Sequence, residues 1–224
     1  MMARTSAVAA EETLEHGSIT FLYRPRVEEQ HPTDLGDVQR LLMLLSPADG
    51  VFERLIAIGR KRVPRAKGHD RFWGFVDLVL TPDDMHAALG AQVYGTKTRG
   101  LRHLPAAQPF AQGMYDLMWH GAHAHLRWHV QRKRNDSVAA HLALERSGDV
   151  IVTVANPDPS LWGLSDPPDL QSELFDGLEL HVTIPTPFPP SLQQRFRDRR
   201  YAQLDTPDWL DHPGAELIFV GAGD

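Results

Sequence analysis

Cysteine is absent from all 224 residues, so the chain can form neither a disulfide nor a thiolate metal site, and that absence fits a cytoplasmic setting. Long apolar runs are absent too. No stretch approaches the roughly 18 uninterrupted apolar residues of a bilayer-spanning helix, so no membrane association is expected. The N-terminus, MMARTSAVAAEETLEHG, offers one Arg and an apolar run of only Ala7 to Ala10, too short for the core of a secretory signal. Several catalytic signatures are also missing: the GxSxG elbow, GxGxxG after a strand, HExxH and any nucleophilic cysteine. No cofactor is therefore expected. Positive charge is in short supply, with 23 Lys and Arg against 29 Asp and Glu. That balance argues against nonspecific nucleic-acid binding, which depends on many phosphate-neutralising cations.

The charge that is present is unevenly spread. Residues 1 to 135 carry 18 Lys and Arg against 14 Asp and Glu, a balance of +4, whereas residues 136 to 224 carry 5 against 15, or −10. The two halves can meet within one fold or across a homo-oligomer, or the first half can present an anion-binding face to a ligand or protein partner.

The organising stretch is Val51 to Leu80. Two apolar runs, Phe52 to Ile58 and Phe72 to Leu80, flank a connection that carries Arg60, Lys61, Arg62, Arg65, Lys67 and Arg71 against the single acid Asp70. Both runs are rich in β-branched and aromatic residues and put apolar groups on each face. Ile56 and Ile58 oppose Leu55, while Trp73, Phe75 and Val79 oppose Phe72, Val76 and Leu78. Strands covered on both sides read this way.

Residues 1 to 16 are small, polar and acidic and read as a flexible tail, leaving residues 17 to 224 as one domain. SITFLYRPRV alternates as a strand. DVQRLLMLLSP is ambiguous between helix and strand, and its place between strands favours the latter. Thr81, Pro82, Asp83 and Asp84 form a helix start: a cap, a first-turn proline and acids at the positive end of the dipole. The helix should end near Gly90 or Val93, before a basic loop, TKTRGLRHLPAAQPF. From Gly113 to Pro157 the pattern is of strands, with turns at Gly121, at Arg132 to Ser137 and at Ser147 to Asp149. Eight of the seventeen prolines fall between Pro157 and Pro190, where LELHVTI suggests an edge strand within irregular wrapping. Short helices are expected over Pro190 to Arg200 and after Thr206, and ELIFVG closes the chain as a strand. The fold class is thus α+β and β-rich, with one or two antiparallel sheets and a few short helices; duplication of a β-meander would account for a faint internal echo.

The strings HGSITFLYRPRVEE, DVQRLLMLL, LIAIGRKRVP, RFWGFVDLV, YGTKTRG and GAELIFVGA together resemble an uncharacterised bacterial protein family with no known activity. The resemblance covers most of the ordered chain. It implies a self-standing domain and brings no ligand or catalytic residue with it.

Three constellations could carry chemistry. In HGAHAHLRWH, strand alternation puts His123, His125, Arg127 and His129 on one face, and His123 with His125 can bind a divalent metal if a carboxylate or third imidazole comes from elsewhere. The competing reading is a plain solvent face, and Arg127 between the histidines weighs against a cation. Second, HVTI at His181 resembles half of the signature of the two-histidine phosphoesterases, but the strings at His123 and His141 lack the hydroxyl residue a second half needs. Third, Arg60, Lys61, Arg62, Lys97, Arg99 and Arg102 lie at the ends of predicted elements, where guanidinium forks could hold an anion. Solvated strand ends are the alternative for that set. With no complete catalytic set, the sequence points to a noncatalytic binding or assembly protein, with a phosphoester hydrolase or a His-dependent metal site as alternatives.

Overall fold

The structure is a computed structural model that describes residues 11–63, 70–98, 100–158, 161 and 187–223. The backbone runs through β1 (Glu12–Pro25), β2 (Val38–Pro47), β3 (Glu53–Ile58), β4 (Arg71–Leu80), α1 (Pro82–Leu89), β5 (Gln92–Thr96), β6 (Gly100–Leu104), β7 (Gln108–Trp119), β8 (Ala124–Lys133), α2 (Ser137–His141) and β9 (Ser147–Ala155). A helical turn at Pro190–Gln193 runs into a 3-10 turn at Gln194–Phe196. Strand β10 (Tyr201–Gln203), a 3-10 helix at Pro207–Asp211 and β11 (Glu216–Gly221) follow.

Eight strands close into an antiparallel barrel. Around the wall they run β1, β2, β3, β4, β11, β9, β8 and β7, and β7 pairs back onto β1. The expectation of one or two open sheets, or of a duplicated open meander, is corrected by this ring. The pairings responsible, β1 with β7 and β4 with β11, join strands far apart in the chain, and nothing in local alternation encodes them. Eight strands give an interior just wide enough for side chains to fill. Alternate residues turn inward and pack there, among them Ile19, Phe21, Met43, Ile58, Leu126, Trp128, Val150 and Phe219, all 5 % exposed or less. The void left among them is about 10 Å³, no more than one water occupies. Among the described residues the barrel interior is a packed core of side chains.

The central pair behaves as its composition requires. β3 and β4 are neighbours in the wall, with Ile56, Ile58, Phe72 and Val76 inside. Leu55, Ala57 and Phe75 face outward and are still buried, because Met85 of α1 and the flanking leucines form a second apolar cluster over them. One parity expectation fails. A bulge opposes Leu55 to Leu78 and Ile56 to Val76, leaving Asp77 without an opposite number, so Leu78 turns outward and Val79 packs inward.

Residues 38 to 45 are strand, within β2. α1 starts as expected: the Asp84 amide donates to Thr81 Oγ1 at 3.4 Å, and Pro82 occupies the first turn. Four local expectations are corrected. The tail does not extend to residue 16, because β1 begins at Glu12 and pairs with Trp119 of β7. The basic loop after α1 includes β6, which forms a two-stranded hairpin with β5. Ser137–His141 is helical rather than extended, since the Asp136 side chain accepts from the Ala139 amide at 2.8 Å and caps it. Ser147, Gly148 and Asp149 open β9 instead of making a turn. The expected edge strand LELHVTI lies outside the described residues.

Candidate metal centre

The β7–β8 hairpin carries the histidines. Trp119 pairs with Ala124, and the loop between them folds tightly: the His120 amide donates to the His123 carbonyl at 2.9 Å and the Ala122 amide to the His120 carbonyl at 2.7 Å. Gly121 has φ of +67°, a left-handed conformation that costs glycine little. This loop brings His120 back over His123 and over His125, the first outward-facing residue of β8. One nitrogen from each of the three rings lies within 4.8 Å of the others. Ring centroids are 4.9 Å apart for His123 and His125, 5.8 Å for His120 and His123, and 6.0 Å for His120 and His125. A tetrahedral ion with bonds of about 2.0 to 2.1 Å needs donors about 3.3 Å apart. The nitrogens, within 4.8 Å of one another, are spaced more widely than that geometry requires, and His120 and His123 both lie in the loop outside β7 and β8.

His125 is the anchored member, 9 % exposed, with Nδ1 at 2.6 Å from Asp149 Oδ1. With Nδ1–H donating to a carboxylate, Nε2 carries the lone pair and the ring is fixed in orientation. Asp149 faces Arg127 across the β8–β9 ladder, and its second oxygen accepts from Arg127 Nε at 2.8 Å. Arg127 also donates from both terminal nitrogens to Glu11, at 2.9 and 3.0 Å. The hydrogen bond to Glu11 is the first cause holding this guanidinium above its ordinary pKa, and the same bond holds Glu11 below the usual carboxylate range. The cation that counted against a metal is thus matched by two carboxylates. Burial first, and then the neighbouring imidazoles, hold His123 below the ordinary imidazole value, which favours the neutral, ligating form.

His129 shares the outer face of β8 but sits four residues further along, about 13 Å from His125 at strand rise, and its Nδ1 pairs with Ser147 Oγ at 2.9 Å. The third imidazole that the structure brings beside His123 and His125 is His120, from the same decapeptide, carried round by the turn. Glu11 and Asp149 were out of reach of sequence reasoning, which placed one in a tail and the other in a turn. The available signal for Asp149 was an acid immediately before the β-branched run Val150 to Val154.

The basic set has a different disposition. The Arg60 and Arg62 guanidiniums each lie 5.4 Å from the centroid of the Phe72 ring, and Arg62 also pairs with Asp70 at 3.1 Å. Lys61 Nζ donates to the Leu35 carbonyl at 2.8 Å, and Arg102 Nε is 3.5 Å from Glu28. Lys97 stands in the β5–β6 turn. Four of the six cations therefore have partners within the chain, while Arg99 lies outside the described residues, as does His181 of the phosphoesterase-like string. The charge halves do meet: Arg54 reaches Asp211 at 2.7 Å, and Arg127 reaches Asp149.

No protein-family model, curated protein or solved structure matches this chain. Among the described residues no helix is long and apolar enough to cross a membrane.

Proposed function

We propose that this barrel is a noncatalytic binding protein whose outer rim holds a divalent transition-metal ion on His120, His123 and His125. The observation that carries the reading is the convergence of three imidazoles with a carboxylate behind the most buried of them. Carboxylate–histidine pairs of this kind recur behind metal ligands because they fix the tautomer and raise ligand basicity. Three nitrogen donors suit zinc, copper, nickel or cobalt rather than the oxygen-seeking magnesium or calcium. A three-protein-ligand set leaves a coordination position open, and an anionic donor from a ligand or partner fits there.

The test is metal loading of the stripped protein. After chelation and dialysis against zinc, elemental analysis should find one equivalent per chain, and cobalt substitution should give the visible absorption of a low-coordinate site. His125→Ala and His123→Ala should each weaken binding by at least about a hundredfold, since a two-ligand remnant holds an ion poorly. Loading well below one equivalent, or loading indifferent to both substitutions, defeats the proposal.

A further inference from the structure

The outer wall that carries His125 also carries methionine. Tyr115 and Leu117 of β7 and Leu126, Trp128 and Val130 of β8 pack in the barrel interior, so period two leaves Met114 and Met118 outside on β7 and His125 and His129 outside on β8. The register then sets Met118 directly opposite His125 and Met114 directly opposite His129. Of the four methionines among the described residues, Met43 and Met85 fill the apolar clusters, as a flexible thioether commonly does. The other two stand on the wall, Met114 exposed and Met118 half-buried, and each is opposed to a histidine.

Met118 is the one beside the three converging rings. Directly opposed residues on one face of an antiparallel pair have Cβ atoms about 4.5–5.5 Å apart, a span that the unbranched methionine side chain covers. His120 follows Met118 by only two residues, so Met118 stands at the foot of the loop as well as across from the anchored ring of His125. On its other side Thr13 of β1 is paired with Met118, and the Thr13 hydroxyl donates to Met118 Sδ at 3.2 Å. A thioether sulfur is a weak acceptor with two lone pairs, and Thr13 uses one of them. The other is a soft, uncharged donor.

Resting on the three-histidine reading above, we infer that the site is built for copper(I), with the Met118 thioether as fourth donor beside His120, His123 and His125. Thioether sulfur selects copper(I), whereas imidazole serves zinc and copper alike. The sulfur is therefore what distinguishes this set from a plain zinc site. Beside a divalent ion the open position suits an anion; an ion of single charge is satisfied there by a neutral donor, and the chain supplies one. The second Met–His rung lies four residues along each strand, about 13 Å away at strand rise. It is out of reach of the same ion and serves as an internal control.

The experiment is anaerobic titration of the full chain with copper(I), kept reduced by ascorbate and competed against bicinchoninate, with zinc affinity measured in parallel. The parent chain should take up one equivalent of copper(I), and X-ray absorption at the copper edge should find one sulfur among its nearest neighbours. Met118→Leu, a volume-conserving change, should weaken copper(I) by about tenfold or more, since a lost ligand costs at least as much as a lost outer-shell partner. It should leave zinc affinity as in the parent, and Met114→Leu should leave both ions unaffected. The inference is overturned, with the histidine reading intact, if zinc loads but copper(I) binding is indifferent to Met118→Leu, if the copper shell contains no sulfur, or if Met118→Leu weakens both ions alike. It is overturned as well if Met114→Leu matches Met118→Leu. If neither ion loads, both readings fall. Should Met118→Leu not fold, the sulfur content of the parent's copper shell decides alone.

Discussion

Asp149 shows how much one side chain can decide. It touches no metal in the proposed site, yet one of its oxygens orients His125 and the other neutralises Arg127. Asp149→Asn keeps the shape, removes the charge and permits the wrong imidazole tautomer. Outer-shell changes of this kind cost about 10- to 100-fold in metal affinity, and competition titration against a chromogenic chelator should read a loss of that size while the far-ultraviolet spectrum stays the same. A pH dependence belongs at this scale too. His123 and His212 are both held below the ordinary imidazole value, burial being the first cause in each. Their folded pKa values therefore lie below the unfolded value of about 6.5, so as pH falls the unfolded chain takes up protons first. The metal-free protein should hold this part of its stability above about pH 6.5 and lose it progressively below. Urea midpoints at pH 7.5 and 5.5 should differ in that order. Equal midpoints, or a higher one at pH 5.5, would refute the linkage.

Strands and helices are where the amino-acid sequence spoke most clearly, and also where it misled in instructive ways. β3, β4, α1 and β11 were legible because each carries a strong local signal: two-sided apolar runs, a Thr-Pro-Asp-Asp start, a terminal β-branched cluster. The start of β9 was not. Ser147, Gly148 and Asp149 look like a turn because serine, glycine and aspartate favour turns, but the glycine is there for space. A Cβ placed on Gly148 would fall 1.9 Å from Cζ2 of the Trp128 indole, which lies across it from β8. Gly148→Ala should thus drive Trp128, 5 % exposed, out of its packed position. Overpacking of this kind costs about 1–3 kcal/mol, and it should appear as a lowered urea midpoint together with a red-shifted tryptophan emission. An unperturbed midpoint would mean that the indole has room the structure does not show. The histidine cluster was half legible for a related reason. Period two paired His123 with His125, but bringing in His120 needs the return path of the hairpin, and locating Asp149 needs the partner strand.

At the level of the whole molecule, closure governs everything else. An antiparallel sheet with two free edges would expose rows of unpaired amides and carbonyls, and a ring removes them. The amino-acid sequence could not announce this, because the contacts that close the ring set β1 against β7 and β11 between β4 and β9, far apart in the chain. β11 is the keystone in a concrete sense: its six residues make five residue pairs with β4 and five with β9, and they place Leu217 and Phe219, 0 % and 2 % exposed, in the interior. Ending the chain at residue 215 would remove both ladders at once, open a slot in the wall and leave β4 and β9 as adjacent bare edges. Both new edges are rich in valine, isoleucine and phenylalanine, the composition that pairs with other chains when exposed. The shortened chain should therefore appear in the insoluble fraction or as large soluble aggregates in size-exclusion chromatography. Adding a synthetic peptide covering residues 214 to 223 during refolding should restore part of the compact species. A truncated chain that stays monomeric, with the parent's thermal midpoint, would mean that eight-strand closure is not what holds this molecule together.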